Sequence, residues 1–218
     1  MAFFIGLIYE RMIIMKYGLN AKVYAWAFQK MLKDYYKKNF PETDMDKLCK
    51  AIKKEYKEMI ARTPGIGGNS NEANLIGACY FFSMGKVIPG MTPELLDDII
   101  DNSIKSDFMV KIHSGKKKKG VLFSEKSHNA KLKEAEKSKD STYEMDWKFK
   151  YEPGVDEFYL TYTQCGICRL AKLEHVEKFL PCMCKMDYAK FEMIGGRLER
   201  TKTLAAGDEC CNFHVVKM

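Results

Sequence analysis

"YEMDWKFKY", at residues 143–151, is where the chain changes from a helical pattern to an alternating one. Charged residues alternate with apolar ones, and the apolar side chains at every second position are Tyr143, Met145, Trp147, Phe149 and Tyr151. A period of two is typical of a half-buried strand. Pro153 and Gly154 predict a turn, and "FYLTYT" at 158–163 predicts the partner strand. The stretch therefore predicts a β-hairpin.

Two further strands are predicted near the C-terminus, in "RLERTKTLA" (197–205) and "CNFHVV" (211–216), joined by "AGDE" (206–209). The stretch between the hairpin and these strands is helical, with a break at Pro181. Because short connections join antiparallel neighbours, this part of the chain predicts an antiparallel sheet of about four strands with a covering helix.

The residues before the hairpin show helical spacing. In the first helix, large apolar side chains recur every three or four positions: Tyr24, Phe28, Met31, Leu32 and Tyr35. Pro41 ends it, Asp44 and Thr92 are predicted N-caps of later helices, and Gly85 is a predicted C-cap. The predicted fold class is α+β, with a helical region at 1–110, a charged loop or linker at 111–142 and an α+β region at 143–218, all in one integrated domain.

The composition of the chain makes some classes of function less expected than others. The chain has 218 residues, 46% of them hydrophobic, so it can bury a sizeable core. Its net charge is +7, and part of the positive charge lies in the run 116–119. The sequence has no basic stripe interleaved with aromatic residues, so nucleic-acid binding is not predicted. The apolar start "MAFFIGLIYERM" is interrupted by Glu10 and Arg11, so neither a signal peptide nor a membrane span is predicted. A cytoplasmic location with reduced cysteines is expected.

Four of the eight cysteines lie between residues 165 and 184. Cys165 and Cys168 form CxxC, whereas Cys182 and Cys184 form CxC. The pattern allows a tetrahedral zinc site, a redox pair, a nucleophile or buried small side chains. The unequal spacing of the two pairs weighs against zinc.

The nucleophile hypothesis centres on "PCMCKMDYAKF" (181–191). If Pro181 opens a helix, Cys184 lies in its first turn or just beyond, and Asp187 follows on the same face. The carboxylate could take a proton or orient a water. Arg200 could clamp a substrate carboxylate bidentately, and His214 lies beside cysteines in a predicted strand.

A second candidate element is the glycine segment "PGIGGNSN" (64–71), which includes Gly67 and Asn71. It is not GxGxxG and does not follow a strand, so it does not predict a dinucleotide site. The glycines and the start of the next helix could cradle a small anion, although a plain turn explains them as well.

Five motifs, in chain order, resemble one family: "PGIGGNSN", "DWKF" (146–149), "CGIC" (165–168), "PCMCKMDY" (181–188) and "RTKTLAAGDECCNF" (200–213). They are similar to the L-2-amino-thiazoline-4-carboxylic acid hydrolase-like proteins, and the resemblance runs from Pro64 to the end. It implies opening of a thiazoline ring by water to a carbamoyl-cysteine, with Cys184 and Asp187 in the site and Arg200, Thr203 and Cys211 supporting them. The family's closing motif is CDF, and Asn212 replaces its acid here.

The sequence therefore predicts a hydrolase that opens a C–N or C–S bond of a small heterocycle or amide. Catalysis is assigned to Cys184 and Asp187, and substrate binding to Arg200, Thr203, Cys211, His214, Gly67 and Asn71. No cofactor, metal, nucleic-acid or membrane partner is predicted, and homo-oligomerisation is left open. The alternatives are a non-catalytic small-molecule binding domain and a zinc or thiol sensor.

Overall fold

The structure is a computed structural model that describes residues 14–67, 69–107, 109–111, 115 and 120–218. The apolar start of the chain and the lysine run at 116–119 lie outside the described residues. No helix within the described ranges combines the length and the hydrophobicity needed to cross a bilayer.

The first part of the described chain is helical, as predicted. The helices are α1 (Leu19–Asn39), α2 (Met45–Arg62), α3 (Glu72–Val87) and α4 (Pro93–Ile104). Two predicted N-caps are confirmed, because the side chain of Asp44 accepts from the Lys47 amide and that of Thr92 accepts from the Leu95 amide. Most of α3 is buried, so it forms the centre of the helical layer.

The predicted C-cap at Gly85 is wrong. Helix α3 continues through Gly85 to Val87 and is capped by Ile88. A Cβ at Gly85 would lie 2.4 Å from Cε2 of Phe179, a fully buried ring. The glycine is therefore explained by this close approach of the helix to Phe179 and not by a helix end.

The second part of the chain contains the predicted antiparallel sheet. Its strands are β1 (Lys148–Pro153), β2 (Glu157–Gln164), β3 (Gly196–Glu199) and β4 (Cys211–Lys217), in the order β1-β2-β4-β3. Three helices accompany it: α5 (Glu125–Lys139), α6 (Gly166–Glu174) and α7 (Leu180–Met193). Pro181 lies in the first turn of α7, and the α+β class is confirmed.

Strand β1 begins at Lys148, later than the alternating pattern, because Asp146 fixes the chain before it. The buried Asp146 carboxylate accepts from the amide of Trp147 at 2.7 Å, from Ser141 at 2.6 Å and from Asn69 at 3.0 Å. Burial alternates from Trp147 onward, where Trp147, Phe149 and Tyr151 are buried, whereas Met145 and Asp146 are both buried and Tyr143 is exposed. The "DWKF" and "PGIGGNSN" motifs are thus joined by a hydrogen bond.

The charged segment at 125–139 forms α5, which packs along the edge strand β1. The hydroxyl of Ser138 donates to the Phe149 carbonyl and accepts from the Phe149 amide. Backbone groups on the outer edge of the sheet are thereby paired with a helix side chain, which protects that edge.

The predicted strand 197–205 is only partly correct, because β3 ends at Glu199. The amides of Thr201 and Lys202 donate to the Asn212 side chain at 3.1 and 2.6 Å, and the Thr203 amide donates to Asp208 at 2.7 Å. These amides bind side chains and not a neighbouring strand. The alternation of faces expected for residues 200–203 therefore does not apply.

Candidate functional site

A cavity of about 290 Å³ lies between the inner face of the sheet, α7, α5 and the start of α3. We call it the sheet cavity. The inner face of β2 and β4 forms its apolar wall, and α7 contributes a thiol, a carboxylate and an ammonium group. Its lining includes Phe158, Leu160, Tyr162, Cys211 and Phe213 from the strands, and Cys184, Asp187, Lys190 and Phe191 from α7.

The helical spacing of α7 places Cys184, Asp187 and Phe191 on the face toward the sheet cavity. Cys184 and Asp187 are one turn apart, as predicted from the opening of the helix at Pro181. The structure therefore brings the two predicted catalytic residues to one cavity wall.

Arg200 fixes this wall from the loop after β3. One terminal nitrogen donates to the Asp187 carboxylate at 2.9 Å, and the other donates to the Cys184 carbonyl at 2.9 Å. Its guanidinium carbon lies 4.7 Å from the centre of the Phe213 ring and 5.1 Å from that of Tyr188. Its side chain is 4% exposed. The Arg200 guanidinium, which was predicted to bind a substrate carboxylate, thus binds Asp187 and the Cys184 carbonyl of α7.

One donor of Arg200 is left over. Its Nε is buried and has no hydrogen-bond partner within the described part of the chain. Unpartnered buried N–H groups are rare in folded proteins, and each calls for an explanation. A water or a polar atom of a ligand beside the cavity would supply the missing acceptor.

Asp187 faces the cavity but lies deep in the protein. Burial raises the pKa of its carboxyl, and the positive charges of Lys190 and Arg200 oppose this effect without cancelling it. The side chain retains 31% exposure, which is toward the open cavity. A carboxylate whose pKa is raised is a stronger proton acceptor, as a general base requires.

The thiol of Cys184 has a raised pKa, unlike that of an activated cysteine nucleophile. Burial and the negative charge of Asp187 raise the pKa of its thiol to about 12, although Arg200 acts in the other direction. The thiol is therefore protonated at neutral pH, whereas reactive cysteines have lowered pKa values. Cys184 lines the cavity as a neutral, weakly polar group.

One cysteine of each motif, Cys165 and Cys184, lines the sheet cavity, whereas Cys168 and Cys182 are not part of its lining. Cys165 is at the N-cap position of α6 without a side-chain capping bond, and a hydrogen bond with the Cys168 thiol, together with burial, holds the pKa of Cys165 well above its ordinary value. Cys182 is buried and donates to the Pro93 carbonyl at 3.2 Å, next to α4. Within the described ranges, no three His, Cys, Asp or Glu side chains are arranged to hold a metal ion.

Comparison with models of protein families identifies the family of this chain. The model of the family described as L-2-amino-thiazoline-4-carboxylic acid hydrolase matches residues 68–215. The chain belongs to this family. No curated protein matches it.

The match to the L-2-amino-thiazoline-4-carboxylic acid hydrolase family covers α3, α5, α7 and the sheet up to Val215 in β4, and it includes every residue that lines the sheet cavity. The glycine segment 64–71 overlaps the start of the match, which begins at residue 68. Asn71 is at the N-cap position of α3, without a side-chain capping bond, and it lines the cavity. Gly67 has φ +70°, and a Cβ there would lie 2.7 Å from the Tyr143 ring, so it serves the turn and is not part of the cavity lining.

Two other predicted residues also lie outside the lining of the sheet cavity. The Thr203 hydroxyl accepts from the Ala206 amide and caps the short helical turn 204–206. His214 is on the outer face of β4, stacked at 4.4 Å on Tyr159, and its ring nitrogens lie 2.7 Å from Glu157 and 3.2 Å from Glu199. In contrast, Cys211 lines the cavity, where its sulfur accepts from the Leu204 amide.

Position 212, where Asn212 replaces the acid of the CDF motif, has a structural role in this protein. The Asn212 side-chain oxygen accepts from the amides of Thr201 and Lys202, while its nitrogen donates to the Thr201 hydroxyl at 2.9 Å. An aspartate could accept the same two amide bonds. Asn212 is not part of the cavity lining, so its contacts orient the loop that carries Arg200.

Sequence reasoning missed Lys190 and Tyr162, both of which line the sheet cavity. Lys190 has no hydrogen bond or ion pair within the described part of the chain. It follows Asp187 by three residues in a helix, a spacing that could have revealed it. Tyr162 shares the inner face of β2 with Phe158 and Leu160, and burial raises the pKa of its hydroxyl. The strand period could have indicated this placement.

Proposed function

We propose that this protein is a hydrolase that opens a C–N or C–S bond of a small cyclic amidine or amide, with Asp187 as the general base. The observation that carries the proposal is the Asp187 carboxylate, which Arg200 holds against the sheet cavity and whose pKa is raised by burial. Family membership supports hydrolytic chemistry on such a ring.

In the proposed reaction, the oxygen of a water molecule bonds to the electrophilic ring carbon while Asp187 takes one of its protons, and the electron pair of the C=N or C=O double bond moves onto its nitrogen or oxygen. The ring C–N or C–S bond then breaks with its electron pair on the leaving nitrogen or sulfur, and the product carbonyl forms. In an amidine, the second proton of the water passes to the nitrogen that received the double-bond pair. The proton held by Asp187 passes to that leaving atom, which restores the carboxylate. With L-2-amino-thiazoline-4-carboxylate, the product is a carbamoyl-cysteine.

Incubation with L-2-amino-thiazoline-4-carboxylate and related cyclic amidines and amides tests the activity. Mass spectrometry should show a ring-opened product that gains one heavy oxygen when the reaction is run in ¹⁸O-water. Binding of these rings without ring opening would instead favour the non-catalytic binding domain. The Asp187→Asn variant serves as the negative control.

Cys184 is proposed to line the cavity and not to attack the substrate, because its thiol is protonated at neutral pH. We expect Cys184→Ala to keep turnover within about tenfold of the wild type, whereas loss of a covalent nucleophile costs on the order of 10⁶-fold. The measurement is kcat with the best ring substrate. Cys182→Ala, on the same helix but outside the cavity, is the matched control. An acyl-type adduct on Cys184 in the mass spectrum would refute the water mechanism.

Lys190 is proposed to bind the substrate carboxylate in place of the occupied Arg200. Because a hydrogen bond to a charged group contributes about 1.5–3 kcal/mol, Lys190→Gln should raise KM by about 10–100-fold for a carboxylate-bearing ring. KM for the corresponding amide should change little. Lys185→Gln, on the same helix but paired with Asp97, is the control. An equal rise in KM for acid and amide would contradict this role.

A further inference from the structure

A second cavity, of about 410 Å³, adjoins the sheet cavity on the other side of α7. It lies between α1, α3, α4 and α7, and its wall is mainly apolar. Methionine is its commonest residue type, contributed by Met31, Met109, Met183, Met186 and Met193, so we call it the methionine cavity. Methionine side chains are flexible and polarisable, and they adapt to apolar groups of varied shape.

The two cavities share part of their walls. Asn74, Asp187 and Lys190 line both. Along α7, Met183, Met186 and Met193 face the methionine cavity, whereas Cys184 and Phe191 face the sheet cavity. Asp187 and Lys190 lie between these two stripes, and Asn74 lies opposite on α3. A molecule that reaches Asp187 from one cavity therefore borders the other.

We propose that the substrate of this protein carries an apolar arm that lies in the methionine cavity while its polar end lies beside Asp187. The inference rests on the proposed function, since it assigns the substrate class of that same site. The shared polar residues at the junction match the polar end, and the apolar wall matches the arm.

The polar groups of the methionine cavity fit this assignment. Ser103 already donates its hydroxyl proton to the Ile99 carbonyl at 2.7 Å, so it does not require a polar partner from a ligand. The charged side chains in the lining are Asp187 and Lys190, and both are at the junction. Apolar contact is thus the main interaction available beyond the junction.

Linear N-alkylureas provide a probe that does not depend on hydrolysis. Their urea end can donate to Asp187, and they have no ring to open. Titration calorimetry with N-propylurea through N-octylurea should show affinity rising by about fourfold for each methylene that enters the cavity. Because the probe is not a substrate, failure of this series leaves the test of ring opening unaffected.

Substitutions that fill the methionine cavity should remove this dependence. Ala27 and Ala73 line it and do not line the sheet cavity, so Ala27→Phe and Ala73→Phe are the test variants. Ala51→Phe, at an exposed position of α2, is the matched control. For the filled variants we expect flat affinity along the urea series, with the largest loss relative to the wild type for N-octylurea, and an unchanged melting temperature.

Two results would overturn the proposal. The first is an affinity that does not rise with chain length in the wild type, or that rises equally in a well-folded filled variant. The second is a dimer, seen by sedimentation, that both filled variants abolish and the ureas do not affect. The second result would assign the exposed side of this cavity, near Trp26 at 60% exposure, to a second copy of the chain.

Discussion

Asp187→Asn is expected to lower kcat for the ring-opening substrate by about 10²–10⁴-fold, the usual contribution of a general base. Asparagine has nearly the same shape and can still accept a hydrogen bond from Arg200, but it cannot take a proton at neutral pH. Steady-state kinetics with product detection would measure the effect. Glu192→Gln makes the same change at an exposed carboxylate of α7 that is outside both cavities, and should leave kcat unchanged.

The pH profile gives a second, independent readout of Asp187. Its base form is required, so activity is present above its folded pKa and falls about tenfold per unit below it. Because burial raises this pKa, the acid limb of kcat/KM should lie above the ordinary range for aspartate. Lys190→Gln removes a charge that lowers this pKa and should move the limb to still higher pH. An Asp187→Asn protein that is folded and retains turnover within tenfold would refute the assignment.

Arg62→Met is expected to lower the free energy of unfolding by about 2 kcal/mol, less than the cost of about 3–5 kcal/mol for breaking a fully buried ion pair, because the Arg62 side chain is 40% exposed. Glu174, at the end of α6, is 3% exposed, and its two carboxylate oxygens accept from Arg62 at 2.7 and 2.6 Å. Lys86 also donates to it at 2.6 Å, which limits the loss. The three residues tie α2, α3 and α6 together. Urea denaturation would measure the change.

The pH dependence of this loss has a defined sign. Burial alone would raise the pKa of Glu174, but hydrogen bonds from Arg62 and Lys86 outweigh it and hold that pKa below its ordinary value. In the wild type, its stabilising contribution is therefore present above the unfolded pKa and is lost as the pH falls through the lowered folded pKa. In Arg62→Met the folded pKa rises, so the deficit should be largest near neutral pH and should shrink on acidification.

Lys105→Met is the control for this prediction. Lys105 pairs with Asp101 one turn away on α4, and its side chain is 71% exposed. Such exposed pairs contribute about 0.3–0.5 kcal/mol. If Arg62→Met and Lys105→Met had equal effects on unfolding, the buried cluster would not contribute as described.

The parts of the fold that sequence predicted are those governed by local patterns. The caps at Asp44 and Thr92 require only a side chain within reach of its own helix, and the strand alternation of Phe149 and Tyr151 reflects burial on one face. The C-cap at Gly85 failed because the reason for the glycine is the Phe179 ring, nearly a hundred residues away. Long-range packing of that kind leaves no local signal.

The same distinction applies to the candidate site. Helical spacing predicted that Cys184 and Asp187 share a face, because both belong to one helix. The partner of Arg200 depends on how Asn212 holds the loop after β3, which local sequence does not reveal. The sequence therefore assigned the Arg200 guanidinium to a substrate carboxylate, whereas in the structure it binds Asp187. The thiol pKa of Cys184 likewise depends on burial beneath elements far along the chain.

The two stripes on α7 also have a consequence for how related enzymes could diverge. Met183, Met186 and Met193 can be exchanged for larger or smaller apolar residues without altering Cys184, Asp187 or the loop that anchors them. New substrate ranges could thus arise by single substitutions on one side of a helix whose other side stays constant. With the roles proposed above, hydrolytic chemistry and substrate choice are separable traits, because the two stripes lie on different sides of one fourteen-residue helix.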